Sequence, residues 1–297
     1  MKILITGASG FIGSRLVETA CASLGPENVI AFSSKKVFRC PSITYSGQEF
    51  NLNPTDHALL AEVDVLIHVG AFIPKNAHDA NALKECNSNI HFTERLLALP
   101  LENLKKIIYI STVDIYEPTE MLTTETTAAL PGSLYGHSKL YCERMTAIFA
   151  ANRQLICQIL RVGHVYGPGE EKYEKFLPKT ITKILAGEAV ELWGDGSALR
   201  TFIYIDDVIT AILRAVYLDT NIGPVNVVGR TPITIRALLD QIIEVSGREV
   251  AIISRELVGG NRHYVFDNSK LCKYLLPTET DLKIGLEVEY SYMASLL

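Results

Sequence analysis

Tyr135 and Lys139 stand four residues apart in Leu134-Tyr135-Gly136-His137-Ser138-Lys139, within a stretch that continues at helical spacing through Tyr141, Met145 and Phe149. That spacing puts both side chains on one helix face. An ammonium beside a phenol favours the phenolate and lowers the tyrosine pKa, which suits it to exchange a proton with a carbonyl or an alcohol. Ser111 and Thr112 close the apolar run Lys105 to Ile110. Hydroxyls at the carboxyl end of a parallel strand face the ligand crevice, although a Ser-Thr pair also serves as turn or cap chemistry. Gly7, Gly10 and Gly13 lie between the apolar run Ile3-Leu4-Ile5 and a helical pattern begun by Phe11, Ile12, Leu16 and Val17. A buried strand, a glycine turn and a helix N-terminus make a phosphate site, because free N–H groups and a positive helix end meet a backbone that a pyrophosphate can approach. The same glycines also suit the plain packing of a helix on a sheet; their place after a buried strand favours the nucleotide.

These groups need a scaffold. Asn28 to Phe32 reads as a second strand, followed by Ser33, Ser34, Lys35 and Lys36. Two hydroxyls and two cations, with no acid, suit a ribose 2′-phosphate and favour NADPH over NADH; a solvated basic turn is the other reading. Asp64 to Val69 is a further buried strand leading to Gly70-Ala71-Phe72, and an amphipathic pattern runs from Asp79 to Leu99. Glu117 to Pro131 is a Thr/Glu/Pro-rich surface loop, a helix begins near Ser133, and Leu155 to Val162 is another strand. Alternation then weakens. Helices are expected at Lys172–Gly187, at the segment ending near Leu218, at Thr234–Ser246 and, as the last, at Asn268–Leu275, with a short strand at Val225–Val228. The pattern predicts an α/β fold, a doubly wound parallel sheet of the Rossmann type over 1–165 plus about 203–230. A smaller C-terminal α+β substrate-binding domain takes about 166–202 and 231–297, as a lid on the crevice.

The chain has 297 residues and a net charge of −5, which argues against nucleic-acid and anionic-membrane partners. No apolar run reaches the length of a membrane span, and a strand starting at residue 2 leaves no room for a cleaved leader. Six scattered cysteines without a Cys-x-x-Cys pair support neither a disulfide scaffold nor a metal site, and the expected location is the cytoplasm.

Taken together and in order, these motifs resemble the extended short-chain dehydrogenase/reductase family, in particular its nucleotide-sugar epimerases, dehydratases and 4-ketoreductases. Gly7, Gly10 and Gly13 resemble its cofactor turn, and His68-Val69-Gly70-Ala71 its His-Leu-Ala-Ala segment. Asn89 with Thr93, Leu96 and Leu97 resembles the helix whose asparagine supports the active site. Thr112, four before Tyr116, stands where the family keeps a catalytic Ser or Thr, and Tyr135 with Lys139 matches its Tyr-x-x-x-Lys. Leu160-Arg161 through Gly167-Pro168 and Trp193 through Asp207 resemble two later family elements.

The resemblance implies that Tyr135 exchanges the proton, Thr112 bonds the reacting oxygen, and Lys139 holds the nicotinamide ribose and acidifies Tyr135. It implies a cofactor site of Gly7, Ser9, Gly10, Phe11, Ile12, Gly13, Ser33, Ser34, Lys35, Ala71, Asn89, Ser111, Tyr135 and Lys139. Thr112, Tyr135, His164, Arg200 and Arg262 would meet the substrate, the two arginines at its diphosphate. His164 also reads as a satisfied loop histidine, and either arginine as an ordinary surface ion pair. A homodimer through the helices near 79–99 and 137–152 is implied as well.

Departures from the family narrow the chemistry. Val113 stands where dehydratases have the first of two adjacent acids, which disfavours dehydration. Ser33 stands where NAD-retaining epimerases have an acid. The expected activity is NADPH-dependent reduction of a nucleotide-linked 4-keto-6-deoxyhexose at C4, in deoxysugar biosynthesis; the alternative is an NAD-dependent nucleotide-sugar 4-epimerase. A reductase of small carbonyls and a non-catalytic nucleotide sensor are the remaining readings, and the presence of both Tyr135 and Lys139 weighs against the sensor.

Overall fold

The structure is a computed structural model that describes residues 1–46, 50–76, 78–117, 119, 121–173, 175–256 and 263–297. In chain order its strands are β1 Ile3–Thr6, β2 Val29–Ser33, β3 Ser42–Thr44, β4 Val65–His68, β5 Lys106–Thr112, β6 Ile156–Val162, β7 His164–Tyr166, β8 Val190–Trp193, β9 Leu199–Arg200, β10 Phe202–Tyr204, β11 Val225–Val227, β12 Ile233–Thr234 and β13 Ile252–Arg255. Its helices are α1 Phe11–Leu24, α2 Pro54–Ala61, α3 Leu83–Leu97, α4 Leu134–Asn152, α5 Phe176–Leu185, α6 Ile205–Val216, α7 Ile235–Ser246, α8 Ser269–Tyr274 and α9 Leu282–Ala294. The chain divides into two compact units, one of Met1–Tyr116, Ala128–Val162 and Ile209–Val225, the other of Glu117–Thr127, Gly163–Val208 and Asn226–Leu297.

The first unit is Rossmann-like, built on a seven-stranded sheet of order β11-β6-β5-β4-β1-β2-β3, in which every pair from β6 to β3 is parallel. Parallel neighbours need crossovers, and α1, α2, α3 and α4 supply those from β1 to β2, β3 to β4, β4 to β5 and β5 to β6. Strands covered on both faces are apolar throughout, as Ile3, Leu4 and Ile5 are, all fully buried. Leu4, Ile30, Leu66 and Ile107 join Leu60, Leu96 and Leu104 in one apolar cluster, each side chain stabilising the fold by roughly 1.5–3 kcal/mol. The chain runs from β1 out to β3 and then returns past β1 to β4. The switch point of the sheet therefore lies between β1 and β4, where open α/β sheets bind ligands.

Two elements of this unit were not legible in the apolar pattern. β3 has only one buried residue, Ile43. α2 buries only Leu60, and its start is set instead by Asn53, which accepts the Asp56 N–H at 3.0 Å while Asp56 accepts the Asn53 N–H at 3.0 Å.

In the second unit β7 pairs parallel with β10, β8 parallel with β13, and β9 antiparallel with β12. Residues 117–127, placed with the sheet domain by sequence, group here with the second unit. Thr123 pairs with Phe266, and Glu125 accepts the Asn226 N–H at 2.9 Å. α8 is not the last helix: α9 follows it. Its inner face of Gly285, Leu286, Glu289 and Met293 mixes a glycine and a carboxylate with the apolar residues, which erases the stripe that periodicity reads.

Glu289 of α9 and Glu170 of the short turn Glu170–Lys172 are 1% and 2% exposed, and neither carboxyl oxygen of Glu289 has a hydrogen-bond partner, which favours its protonated form. Burial and the neighbouring Glu170 push Glu289 up, Glu171 adding to the effect; Lys175, 3.2 Å from Glu170, stabilises the charge on Glu170. A carboxyl raised by folding contributes its full stability below the ordinary carboxylate range and loses it as pH rises through the raised value. The wild type is expected to lose about 1–3 kcal/mol relative to Glu289→Gln between about pH 5 and pH 8, read as melting temperature against pH. Parallel curves for the two proteins would show that Glu289 does not titrate in this range.

Candidate active site

β5 carries the site's edge. Thr112, buried at its end, caps the 3₁₀ turn Val113–Ile115: its Oγ1 accepts the Asp114 N–H at 3.1 Å and donates to Asp114 Oδ2 at 3.1 Å. The phenol of Tyr135 lies beside that hydroxyl. Tyr135 lies in the first turn of α4, capped by Ser133, whose Oγ accepts the Gly136 N–H at 3.1 Å. A Cβ on Gly136 would stand 2.4 Å from the Asp114 carbonyl oxygen. Glycine there lets α4 lie against the β5 turn, which carries Tyr135 to Thr112.

One turn further along α4, Lys139 is buried and donates from Nζ to the Ile110 carbonyl at 2.7 Å, with Nζ 4.5 Å from the centre of the Tyr109 ring. Burial lowers its pKa to about 8, against the opposing pull of Cys142 and Glu143. Tyr135 corrects the sequence reading. Burial and then the Asp114 carboxylate push the phenol well above its ordinary value, and the neighbouring Thr112 hydroxyl recovers only part of this. Shared helix face did not secure acidification, because the ammonium is directed to a strand carbonyl and is itself depressed by burial.

At the switch point Gly7 has φ +64°, and its Cβ would stand 2.7 Å from Gly70 Cα, so β1 and β4 diverge from backbone contact. Gly10 donates to the Gly7 carbonyl at 2.9 Å, and a Cβ on Gly13 would lie 2.0 Å from that same oxygen. No side chain caps α1, and its first turn holds no acid. Phe11 is buried, Ile12 half-buried and Ser9 exposed. Ser111 Oγ, buried at the end of β5, has no hydrogen-bond partner. An uncapped helix end behind a glycine turn, an orphaned hydroxyl at the strand edge and a buried ammonium fit a dinucleotide, with the pyrophosphate at α1.

Asn89 of α3 is buried and holds the segment after β4: Oδ1 accepts the Phe72 N–H at 2.7 Å, and Nδ2 donates to the Phe72 carbonyl at 3.3 Å and to Ser138 Oγ at 3.3 Å. Ala71, beside Phe72, is half-buried. Ser33, buried at the end of β2, donates its hydroxyl proton to the Lys35 carbonyl, while Ser34 and Lys35 are exposed. Thus Thr112, Tyr135, Lys139, Ser111 and Asn89 come together around β5 and α4.

In the second unit His164 opens β7 and Arg200 closes β9. The His164 ring lies 5.9 Å from Tyr264, and the Arg200 guanidinium lies 4.6 Å from the centre of the same ring. Burial, then the Arg200 and Lys175 cations, lower His164 to about 4, so the imidazole is neutral at pH 7. Arg262 lies outside the described residues. Among the described residues no group of three His, Cys, Asp or Glu is placed to hold a metal ion, and no helix is long and apolar enough to cross a membrane.

The profile of the NAD dependent epimerase/dehydratase family matches residues 3–228, which include every element just described around β5 and α4. The chain belongs to that family. An uncharacterized UDP-glucose epimerase, YtcB of Bacillus subtilis (strain 168), is 29% identical, covering 100% of this chain and 99% of its own length. A dTDP-glucose 4,6-dehydratase of Streptomyces griseus is 26% identical over 96% of this chain and 91% of its own. The crystal structure of a UDP-glucuronic acid 4-epimerase of Bacillus cereus, in complex with UDP-glucuronic acid and NAD, superposes with a TM-score of 0.85 at 27% identity, covering 100% of both chains.

One group that sequence reading did not name, Glu143, is tied through Arg161 to Tyr116, and those two enter that reading only as parts of family elements. Glu143 continues the spacing of Tyr135 and Lys139 by one more turn of α4. Arg161 is a lone cation inside β6, and its Nη2 and Nε donate to Glu143 Oε1 and Oε2 at 2.6 and 3.2 Å. Arg161 Nη1 donates to the Tyr116 hydroxyl at 2.6 Å. The signal was present: a charge in the middle of a buried strand demands a partner.

Proposed function

We propose that this chain interconverts C4 epimers of a nucleotide sugar with a retained NAD. The observation that carries this reading is the placing of Tyr135 beside Thr112 and one turn from Lys139 on α4, with Val113 in the next place. When bound, NAD supplies a reversible hydride acceptor for C4. Tyr135 takes the C4 hydroxyl proton and returns it, while Thr112 holds the same oxygen and steadies the charge that develops there. Lys139 binds the nicotinamide ribose, the Gly7–Gly13 turn binds the pyrophosphate, and Asn89 fixes the backbone at Phe72. Arg200 and the neutral His164 bind the substrate diphosphate, a task that suits a guanidinium fork. Val113 brings no acid to protonate a leaving hydroxyl, which speaks against dehydration. The B. cereus 4-epimerase with bound NAD and the YtcB relative support epimerisation over net reduction.

One observation favours a second reading. β2 ends in Ser33-Ser34-Lys35-Lys36 with no acid, which suits NADPH and hence reduction of a 4-keto-6-deoxy nucleotide sugar. The deciding experiment incubates the purified protein with UDP-glucose, UDP-glucuronic acid and UDP-N-acetylglucosamine, alone and with added cofactor, and reads products by NMR. Formation of a C4 epimer without net cofactor consumption is expected. Loss of NADPH absorbance on 4-keto-6-deoxy substrates, with no epimer from any 4-hydroxy sugar, would replace the epimerase with the reductase.

A homodimer through α3 and α4 is part of this proposal. α4 exposes Tyr141 at 57% and Ile148 at 62%, beside Met145 and Phe149, an apolar stripe that suits burial against a second copy.

A further inference from the structure

His68 ends β4, 2% exposed, and has no part in the reaction proposed above. Its ring is tied on both sides, Nδ1 at 2.9 Å from Thr6 Oγ1 and Nε2 at 2.9 Å from Thr93 Oγ1. The outer bonds assign the protons. Thr93 donates its hydroxyl proton to the Asn89 carbonyl at 2.8 Å, so toward His68 it accepts, and Nε2 carries the hydrogen. Thr6 Oγ1 accepts the Gly70 N–H at 2.9 Å, which leaves the Thr6 proton for a bare Nδ1. Burial, with the Lys139 ammonium nearby, holds the ring well below its ordinary pKa and therefore neutral. The rings of Tyr109 and Phe92 flank it at 5.2 and 5.6 Å.

The bonded line continues in both directions. Thr6 immediately precedes Gly7, and Gly70 is the residue whose backbone Gly7 must approach. On the other side Asn89 bonds Phe72 and Ser138, and Ser138 Oγ donates to the Tyr135 carbonyl at 2.8 Å. One chain of directed bonds thus runs from the glycine turn, through the imidazole, to the helix that carries Tyr135 and Lys139.

We infer that His68 is a positioning residue of the cofactor site, a neutral imidazole protonated on Nε2 that sets the spacing between the glycine turn and α4. The inference rests on the reading of that turn as a dinucleotide site. No other side chain reproduces both bonds: a glutamine amide reaches Thr93 but not Thr6, and an asparagine carbonyl reaches Thr6 but not Thr93. His68→Gln and His68→Asn are each expected to weaken NAD binding about 10-fold, while turnover at saturating cofactor stays within about 3-fold. A role confined to stability would lower the melting temperature and leave the folded protein's NAD affinity unchanged. Nitrogen NMR of the wild type is expected to show the neutral Nε2–H tautomer from about pH 5 to pH 8.

NAD affinity equal to wild type in both variants overturns the inference, as does an Nδ1–H tautomer or a ring that titrates near its ordinary value. Should the His68 variants not fold, Thr93→Val, close to isosteric, is expected to weaken NAD binding and to shift the Nε2 resonance; the absence of both effects overturns the inference. A wild type that binds no dinucleotide would overturn the cofactor reading itself. Wild-type binding with indifferent variants would overturn the role of His68 alone.

Discussion

Tyr135→Phe is expected to lower turnover by about 10²–10⁴-fold while NAD binding stays near wild type and the melting temperature changes by a few degrees at most. The substitution removes one oxygen. That oxygen lies beside the Thr112 hydroxyl and the Asp114 carboxylate, in the place where the proposal needs a proton to leave and return. Because burial and Asp114 hold the phenol well above its ordinary value, the protein at neutral pH starts with the proton on Tyr135. Donation to an alkoxide formed at C4 is then downhill, whereas taking the alcohol proton first requires the phenolate. Substrate oxidation is therefore expected to accelerate with rising pH more steeply than reduction of the transient ketone, until Lys139 titrates at about 8. Steady-state rates and single-turnover absorbance of the bound nicotinamide measure both effects. Turnover within a few-fold of wild type in Tyr135→Phe would remove Tyr135 from the chemistry.

Glu143→Ala is expected to destabilise the protein by about 3–5 kcal/mol, a fall of roughly 10 °C in melting temperature. Glu143, Arg161 and Tyr116 are 2%, 3% and 3% exposed, so truncating the carboxylate leaves a guanidinium in a medium that cannot solvate it. Their bonds join α4 to β6 and to the turn that follows Thr112. Stability and positioning can be separated. Replacing both charges, Glu143→Leu with Arg161→Met, removes the unpaired ion and is expected to restore most of the stability. Turnover is expected to stay low, because the charged tie from α4 to β6 and Tyr116 is then lost and Thr112 shifts in register against Tyr135. Full recovery of activity in the double variant would show that the ion pair serves stability alone.

How much was readable in advance differs by element. Strands β1, β2, β4, β5 and β6 and helices α1, α3 and α4 announce themselves, because strands buried on both faces and amphipathic helices write their environment into nearest-neighbour patterns. α2 and α9 do not. One begins at a capping box and buries a single leucine, and the other hides a carboxylate in its inner face. The glycine spacing predicted the turn correctly because the demand there is local: Gly7 needs a positive φ, and Gly13 has no room for a Cβ beside the Gly7 oxygen. The preference for net reduction came from Ser33-Ser34-Lys35-Lys36, with its two hydroxyls, two cations and no acid. The structure shows the Ser33 hydroxyl engaged with the Lys35 carbonyl, and the relatives are epimerases and dehydratases.

From its order of residues alone the chain determined the sheet, the phosphate-type turn and the pairing of Tyr135 with Lys139 on one helix face, since each depends on residues within a few positions of one another. Tertiary structure decided the proton affinities. The phenol is raised by burial and Asp114, the imidazole of His68 is held neutral between Thr6 and Thr93, and Arg161 finds its carboxylate on another element. Electrostatic free energy in a low-dielectric interior depends on which distant groups fold to within a few ångströms, and that information is absent from any local window of sequence.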